Sequence, residues 1–402
     1  MKTELLKKLG RINTIPAGWK LTTVGKVCKI RNDLRKPLST EERAKIQGAY
    51  PYYGPTGVLD FIDHHLVEGQ FALIGEDGDH FLKPEQKAQT LLVNGKFNVN
   101  NHAHLIQGTE KCSSEWFFLY FHHRDITHLI SRQGASRYKL NKDTLSKLPI
   151  LVPPLNEQLE IYKLFTTWDN AIEKTEALIT AKEKQFEWLT SNLINRAGHK
   201  RTAASGLMTE VSRRNKSSTI ERVLSVTNHS GFVLPEEQFE RRVASANVSN
   251  YKVVEQGQYA YNPSRINVGS IARLDDWENG ILSPMYVVFK LDTKKVCSDY
   301  FLHWVNSSEA RQRIKNSAQG SVRETVSFKD LGAIDIPLPA MDVQKDVTYK
   351  LNLAQKEISL LKNTLEQYRS QKRGLMQKLL TGEWQVGSSQ HLSEETYQEA
   401  SA

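Results

Sequence analysis

The sequence predicts an α+β protein: two globular α+β domains and two long antiparallel coiled-coil helices, related by a pseudo-twofold internal repeat. Three observations predict it. A stretch near the middle of the 402 residues recurs near the end without a gap. A heptad run without proline follows each copy, and a strand-rich segment precedes each.

The recurrence lies between Gln133–Gln158 and Gln319–Gln344, at a constant offset of 186 residues. It aligns Gln133 with Gln319, Gly134 with Gly320, Arg137 with Arg323, Leu145 with Leu331, Ile150 with Ile336, Pro153 with Pro339 and Gln158 with Gln344. Duplication of a supersecondary unit produces such fixed-period similarity.

The same offset continues downstream. Phe165, Trp168, Ile172, Ile179, Phe186, Leu189 and Leu193 fall three, four or seven apart, as apolar seam positions of a helix do. The second run supplies Leu351, Ile358, Leu361, Leu365, Tyr368, Leu375 and Leu379. Each run reads as a helix of about 40 residues and about 60 Å. A stripe that long needs another long stripe beside it, so the two helices are expected to pair. Lys182 and Lys372 occupy seam positions and are expected to snorkel or to mark a docking site.

Upstream of each run, short β-rich stretches such as Phe71–Ile74, Leu91–Val93 and Tyr286–Leu291 alternate with Gly, Asn and Asp turns. Trp116–His123 and Tyr300–Asn306 read as short amphipathic helices. Gly69-Gln70-Phe71-Ala72 resembles Gly257-Gln258-Tyr259-Ala260. Residues 196–218 are polar and basic and read as a linker, and the Ser- and Glu-rich tail from Gly387 reads as disordered.

A net charge of +9 favours anionic partners, nucleic acid first. Cys28, Cys112 and Cys297 lie far apart and form no C-x-x-C pair, which fits a reducing compartment and no zinc site. No apolar run of membrane-spanning length and no secretory signal is evident, so a cytoplasmic location is expected.

Catalytic constellations are not apparent. Asp63, His64, His65, Asp79, His80, His102, His104, His122 and His123 show no metal-nuclease spacing and read as loop and turn residues. Gly75-Glu76-Asp77-Gly78-Asp79 lacks a full calcium-loop spacing and reads as a turn after a strand. Asn262-Pro263-Ser264-Arg265 lacks the second proline and the aromatic residue of an amino-methyltransferase motif. No phosphate-binding G-x-x-x-x-G-K-[ST] loop and no G-x-S-x-G elbow occurs.

The remaining polar groups suit binding. Candidate DNA contacts in the first segment are Arg31, Arg35, Lys36, Tyr53, Gln133, Arg137 and Lys139. In the second they are Asn262, Ser264, Arg265, Asn267, Gln319 and Arg323. Arginine offers a rigid fork for phosphate or guanine, and Asn and Gln can pair with adenine. Gln-Gly-x-x-Arg carries most weight, because it occurs in both copies.

The chain resembles the specificity subunits of type I restriction–modification systems over nearly its whole length. The landmarks are Leu148–Gln158, L-P-I-L-V-P-P-L-N-E-Q, and Ile334–Gln344, I-D-I-P-L-P-A-M-D-V-Q. In this family an I-P-L-P-P-x-x-E-Q element ends each recognition domain and opens a long helix. The first copy keeps Pro153, Pro154, Glu157 and Gln158; the second has Ala340 and Val343 but retains Gln344.

The resemblance implies target-recognition domains over residues 1–153 and 218–339 and spacer helices over 154–197 and 340–382. A linker over 198–217 and a disordered tail over 383–402 complete the division. It further implies a non-catalytic reader of a bipartite double-stranded DNA target. Two methylating subunits would modify adenine, and motor-nuclease subunits would restrict. S-adenosylmethionine, magnesium and ATP would belong to those partners, with no cofactor or metal in this chain. Two alternatives stay open: a stand-alone nuclease or methyltransferase, and a coiled-coil adaptor whose globules bind proteins.

Overall fold

A computed structural model describes residue 9 and residues 14–84, 87–133, 137–234, 248–318 and 325–386. The chain divides into two compact units. Unit 1 comprises residues 1–174 and 365–402, and unit 2 comprises residues 175–364.

Unit 1 is built on a six-stranded sheet. Its order is Lys29–Ile30, Ala103–Gln107, Val67–Gly75, Thr90–Val99, Gln47–Tyr53 and Val58–Ile62. Alternating apolar residues put Ala72 and Ile74 on the face covered by helix α1, Ser114–His122. Phe71 and Leu73 join the cluster on the other face with Phe97 and Leu105. Ser113 caps α1 by accepting the Trp116 amide at 3.0 Å. The strand Lys20–Thr23 pairs antiparallel with Pro149–Val152 and leads the chain into helix α2, Leu155–Thr190.

Unit 2 repeats this plan with shorter strands. A four-stranded sheet runs Met208–Glu210, Val287–Leu291, Tyr259–Tyr261, Ile271–Arg273. Helix α3, Ser298–Asn306, corresponds to α1, and helix α4, Ser308–Ala318, follows it. Asp335–Pro337 pairs antiparallel with Arg201–Ala203 just before helix α5, Met341–Leu379.

That pairing corrects the reading of residues 198–217 as a linker. Arg201–Ala203 and Met208–Glu210 are strands of unit 2, hydrogen-bonded to Asp335–Pro337 and Val287–Leu291. Arg201–Ala203 holds the place that Lys20–Thr23 holds in unit 1. The polar composition reflects strands of three residues whose outward positions face solvent.

The repeated glutamines explain how each long helix is fixed at its start. Gln158 is fully buried. Its amide oxygen accepts the Ser113 amide at 2.9 Å, and its NH2 donates to the carbonyls of Lys111 and Pro153, both at 2.9 Å. Gln344 is 1% exposed and does the same work. It accepts from the Cys297 amide at 2.8 Å and donates to Lys295 at 3.2 Å and Pro339 at 2.9 Å. Each glutamine thereby ties the helix start to its own proline turn and to the loop entering α1 or α3.

Both long helices contribute to both units. Ile161 and Phe165 of α2 join the unit 1 core with Leu379 and Leu380, and Leu375 packs beside them. In unit 2, Phe186, Leu189 and Leu193 of α2 pack on a core that contains Val347 and Leu351 of α5. Within each unit the two helices are antiparallel. Trp168 meets Tyr368 edge-to-face at 5.7 Å in unit 1, where Leu365 is also buried. Ile179 and Ile358 are buried in unit 2, and Ile172 and Leu361 are half-buried in their respective units.

The seam lysines are paired across the helices. Lys182 Nζ lies 2.8 Å from Glu357 Oε1, and Lys372 bonds Asp169. Lys362 adds a third pair with Glu183 at 2.6 Å. Such half-exposed pairs contribute about 0.2–1 kcal/mol each and fix register more than stability. Lys372→Glu is expected to lower the stability of unit 1 by about 1 kcal/mol or less. Asp169→Lys in the same chain should restore it, and thermal unfolding at low and high salt measures both effects.

Candidate nucleic-acid interface

In unit 1 the strand Val67–Gly75 delivers the turn Glu76-Asp77-Gly78. The turn wraps buried His80. A Cβ on Gly75 would lie 2.5 Å from the His80 ring, and one on Gly78 would lie 2.6 Å from its Nδ1. Gly78 also holds φ +147°, a conformation that favours glycine.

Asp77–Gly78 pairs with the hairpin strand Arg137–Lys139, which pairs in turn with Ser131–Gln133. In this register Arg137 stands opposite Gln133, so two predicted contacts share one hairpin. The turn between them, 134–136, lies outside the described residues.

Glu76 is the charge centre of this corner. Its carboxylate lies 2.8 Å from Arg35 Nη1, 3.8 Å from Lys139 Nζ and 3.7 Å from His104 Nε2. Arg35 also donates to the carbonyls of Asn101 at 3.0 Å and Ala103 at 3.3 Å. His104 is buried, with its pKa lowered chiefly by desolvation. It donates from Nε2 to the Leu140 carbonyl at 2.6 Å and accepts from Asn32 Nδ2 at 2.8 Å. These bonds hold the neutral tautomer and join the Asn32 loop to the hairpin.

The predicted contacts of unit 1 therefore separate. Arg35 departs from the expectation: its guanidinium is committed to Glu76 and two carbonyls and braces the corner. Tyr53 is half-buried, edge-to-face on Phe97 at 5.9 Å, with burial raising its hydroxyl pKa, so its ring is spent on packing. Arg31 bonds Asp33 at 2.8 Å and Gln107 at 3.2 Å at a more open position. Lys36 is exposed, and Lys139 stands at the hairpin beside Glu76.

In unit 2 the strand Tyr259–Tyr261 delivers Asn262-Pro263-Ser264-Arg265. Asn262 Oδ1 accepts the Ser264 amide at 3.0 Å, and its carbonyl accepts the amides of Arg265 and Ile266, both at 2.9 Å. This turn opens a short 3-10 helix, Ile266–Val268. Asn262 thus shapes the loop, while Ser264 and Arg265 are exposed. Asn267 is half-buried, and its Oδ1 is shielded from solvent without a hydrogen-bond partner. Gln319 and Arg323 lie outside the described residues.

The two corners correspond. The Leu140 amide donates to the Glu76 carbonyl at 2.7 Å, and the Val326 amide donates to the Pro263 carbonyl at 3.1 Å. Leu140 and Val326 are one repeat offset apart, and their acceptors, Glu76 and Pro263, follow the corresponding strands Val67–Gly75 and Tyr259–Tyr261. Two stretches that match no catalytic motif thus occupy one place in the duplicated plan, held by Leu140 and Val326. Glu76 is the site residue that sequence reasoning missed, because its partners Arg35, Lys139 and His104 come from distant parts of the chain. Among the described residues no group of three or more His, Cys, Asp or Glu could hold a metal ion. Among the described residues no helix is long and apolar enough to cross a membrane.

Comparison with known proteins follows this geometry. Residues 16–181 match the family described as type I restriction modification DNA specificity domain. A Haemophilus influenzae protein bearing the name type I restriction enzyme specificity subunit S.HindORF215P is 33% identical over 185 residues. That match covers 44% of this chain and 46% of the relative, so it spans about half of that protein. A Methanocaldococcus jannaschii protein bearing the name type I restriction enzyme MjaX specificity subunit is 25% identical over 96% of this chain and 98% of its own. The crystal structure of a type I restriction-modification system S subunit from M. genitalium superposes with a TM-score of 0.59. It covers 92% of this chain and 98% of its own at 15% identity, which establishes a shared fold. Residues 16–181 thus match a type I restriction modification DNA specificity domain, and the chain is similar along nearly its whole length to specificity subunits of type I restriction enzymes.

Proposed function

We propose that the chain reads a two-part double-stranded DNA target, one half with each unit, and directs adenine methylation and restriction by partner subunits. The observation that carries this reading is the pair of corresponding corners, alike in backbone and different in side chains. Glu76, Asp77 and Lys139 furnish one; Ser264 and Arg265 furnish the other. Two readers of one plan and unlike chemistry suit a target whose halves differ. The paired helices α2 and α5 set the permitted gap between the halves.

The chain itself is non-catalytic in this reading. Two methylating subunits carry S-adenosylmethionine, and motor-nuclease subunits carry magnesium and ATP chemistry. An exposed apolar row on α5, Tyr349, Leu353 and Leu360, supports a partner seated on that helix.

Single-molecule methylome sequencing of cells with and without this gene tests the reading. A gapped adenine-methylated motif should vanish with the gene. Arg265→Ala should relax or lose one half of that motif, a base contact being worth about 1–3 kcal/mol. Equal loss on both halves would count against the assignment of one half to each unit.

A further inference from the structure

Unit 2 contains a polar cleft of about 620 Å³ beside the recognition loop. Asn267 of the 3-10 helix lines it, with Asn228 and His229 from the turn of the hairpin Ser225–Thr227/Gly231–Val233. Arg311 and Lys315, one turn apart on α4, supply its cations, and among the described residues Glu187 is its one carboxylate.

The charges on α4 are unevenly settled. Arg313 is neutralised by Glu309 at 2.7 Å, and Glu309 also bonds Arg201 at 2.7 Å. Arg311 and Lys315 have no side-chain hydrogen bond or ion pair among the described residues, and both are exposed. Like charges at this spacing repel, so the arrangement is favourable when an anion lies between them. The Arg311 guanidinium lies beside Gly269 at the end of the 3-10 helix, 4.0 Å from where a Cβ would stand. Half-buried Asn267 has an Oδ1 without a hydrogen-bond partner, and turning its amide over presents the NH2 to an anionic oxygen.

We propose that this cleft is a backbone clamp: Arg311 and Lys315, with Asn267 and the Asn228–His229 turn, hold phosphates of the duplex beside the half-site read by unit 2. The inference rests on the DNA-reading role proposed above and assigns a second task to the same unit. DNA is favoured over an acidic protein surface because the cleft shares Asn267 with the recognition loop. Arg265 then discriminates between bases, and the clamp supplies attraction without sequence preference.

The test uses the full chain with its methylating partner and two duplexes, one of random sequence and one carrying the motif read from the methylome. Arg311→Gln/Lys315→Gln removes both charges and leaves polar side chains, and an unchanged melting temperature verifies folding. The expected result is a plot of log affinity against log salt shallower by about two, one per phosphate lost. Affinity should fall equally on both duplexes, leaving their ratio intact. An unchanged slope in a variant whose wild type binds DNA overturns the clamp and leaves the reading of unit 2 standing. Loss of partner assembly at unchanged slope assigns the cleft to an acidic protein surface and likewise overturns it. A wild-type complex that binds neither duplex overturns the DNA-reading role and the clamp with it.

Discussion

Gln344→Ala is expected to destabilise unit 2 by about 2–4 kcal/mol, because it strands at once three backbone groups that bond the buried Gln344 amide. The Cys297 amide loses its acceptor, and the carbonyls of Lys295 and Pro339 lose their donor. Alanine leaves no side-chain polar atom in their place, and water must enter or the groups remain unsatisfied. Gln344→Glu separates the contributions: it keeps an acceptor for Cys297 and abolishes both donations. Gln158→Ala should cost unit 1 a similar amount through Ser113, Lys111 and Pro153. Thermal unfolding together with hydrogen exchange at the Cys297 amide measures the effect. An unchanged melting temperature with unchanged protection would show that the glutamine is not what fixes the helix start.

Acidification is expected to weaken unit 1 well before carboxylates titrate. Desolvation pushes the His122 pKa down to about 3, helped by His123 and Lys372, from the 6.5 of a solvated imidazole. His80 and His104 are shifted in the same direction, also chiefly by desolvation. The unfolded chain takes up these protons as pH drops through about 6.5, and the folded unit takes them up only at lower pH, near 3 for His122. Stability is therefore complete above about 6.5 and declines as pH falls toward 3. At pH 5 the His122 contribution alone amounts to about 2 kcal/mol. Unfolding midpoints in denaturant between pH 7.5 and 5 read this out, and His122→Gln should flatten the profile. A profile that is flat in the wild type would contradict the placement of these rings.

The long helices and the duplication were legible because they are written in period and offset. A heptad stripe needs no knowledge of its partner, and Phe165 or Leu379 can be placed on a seam from spacing alone. Lys182 and Lys372 looked out of place for the same reason: their acids, Glu357 and Asp169, lie on the other helix, and no local pattern joins them. The strand Arg201–Ala203 was hidden by its length. Three residues give no alternation to read, and their partner is more than a hundred residues away. Arg35 was read as a free fork because Glu76 comes from a different strand. Its commitment appears only once the sheet brings the two within 2.8 Å.

The interrupted make-up of unit 1 has a consequence for synthesis. Its core includes Leu379 and Leu380, and the Gln385 side chain donates to the Ala17 carbonyl at 2.9 Å. All of unit 2 is encoded between these parts. A ribosome emits the chain in order, and domains complete as their segments emerge. The half that leaves the exit tunnel first is thus the last to close, held open until the end of α5 arrives to fill it.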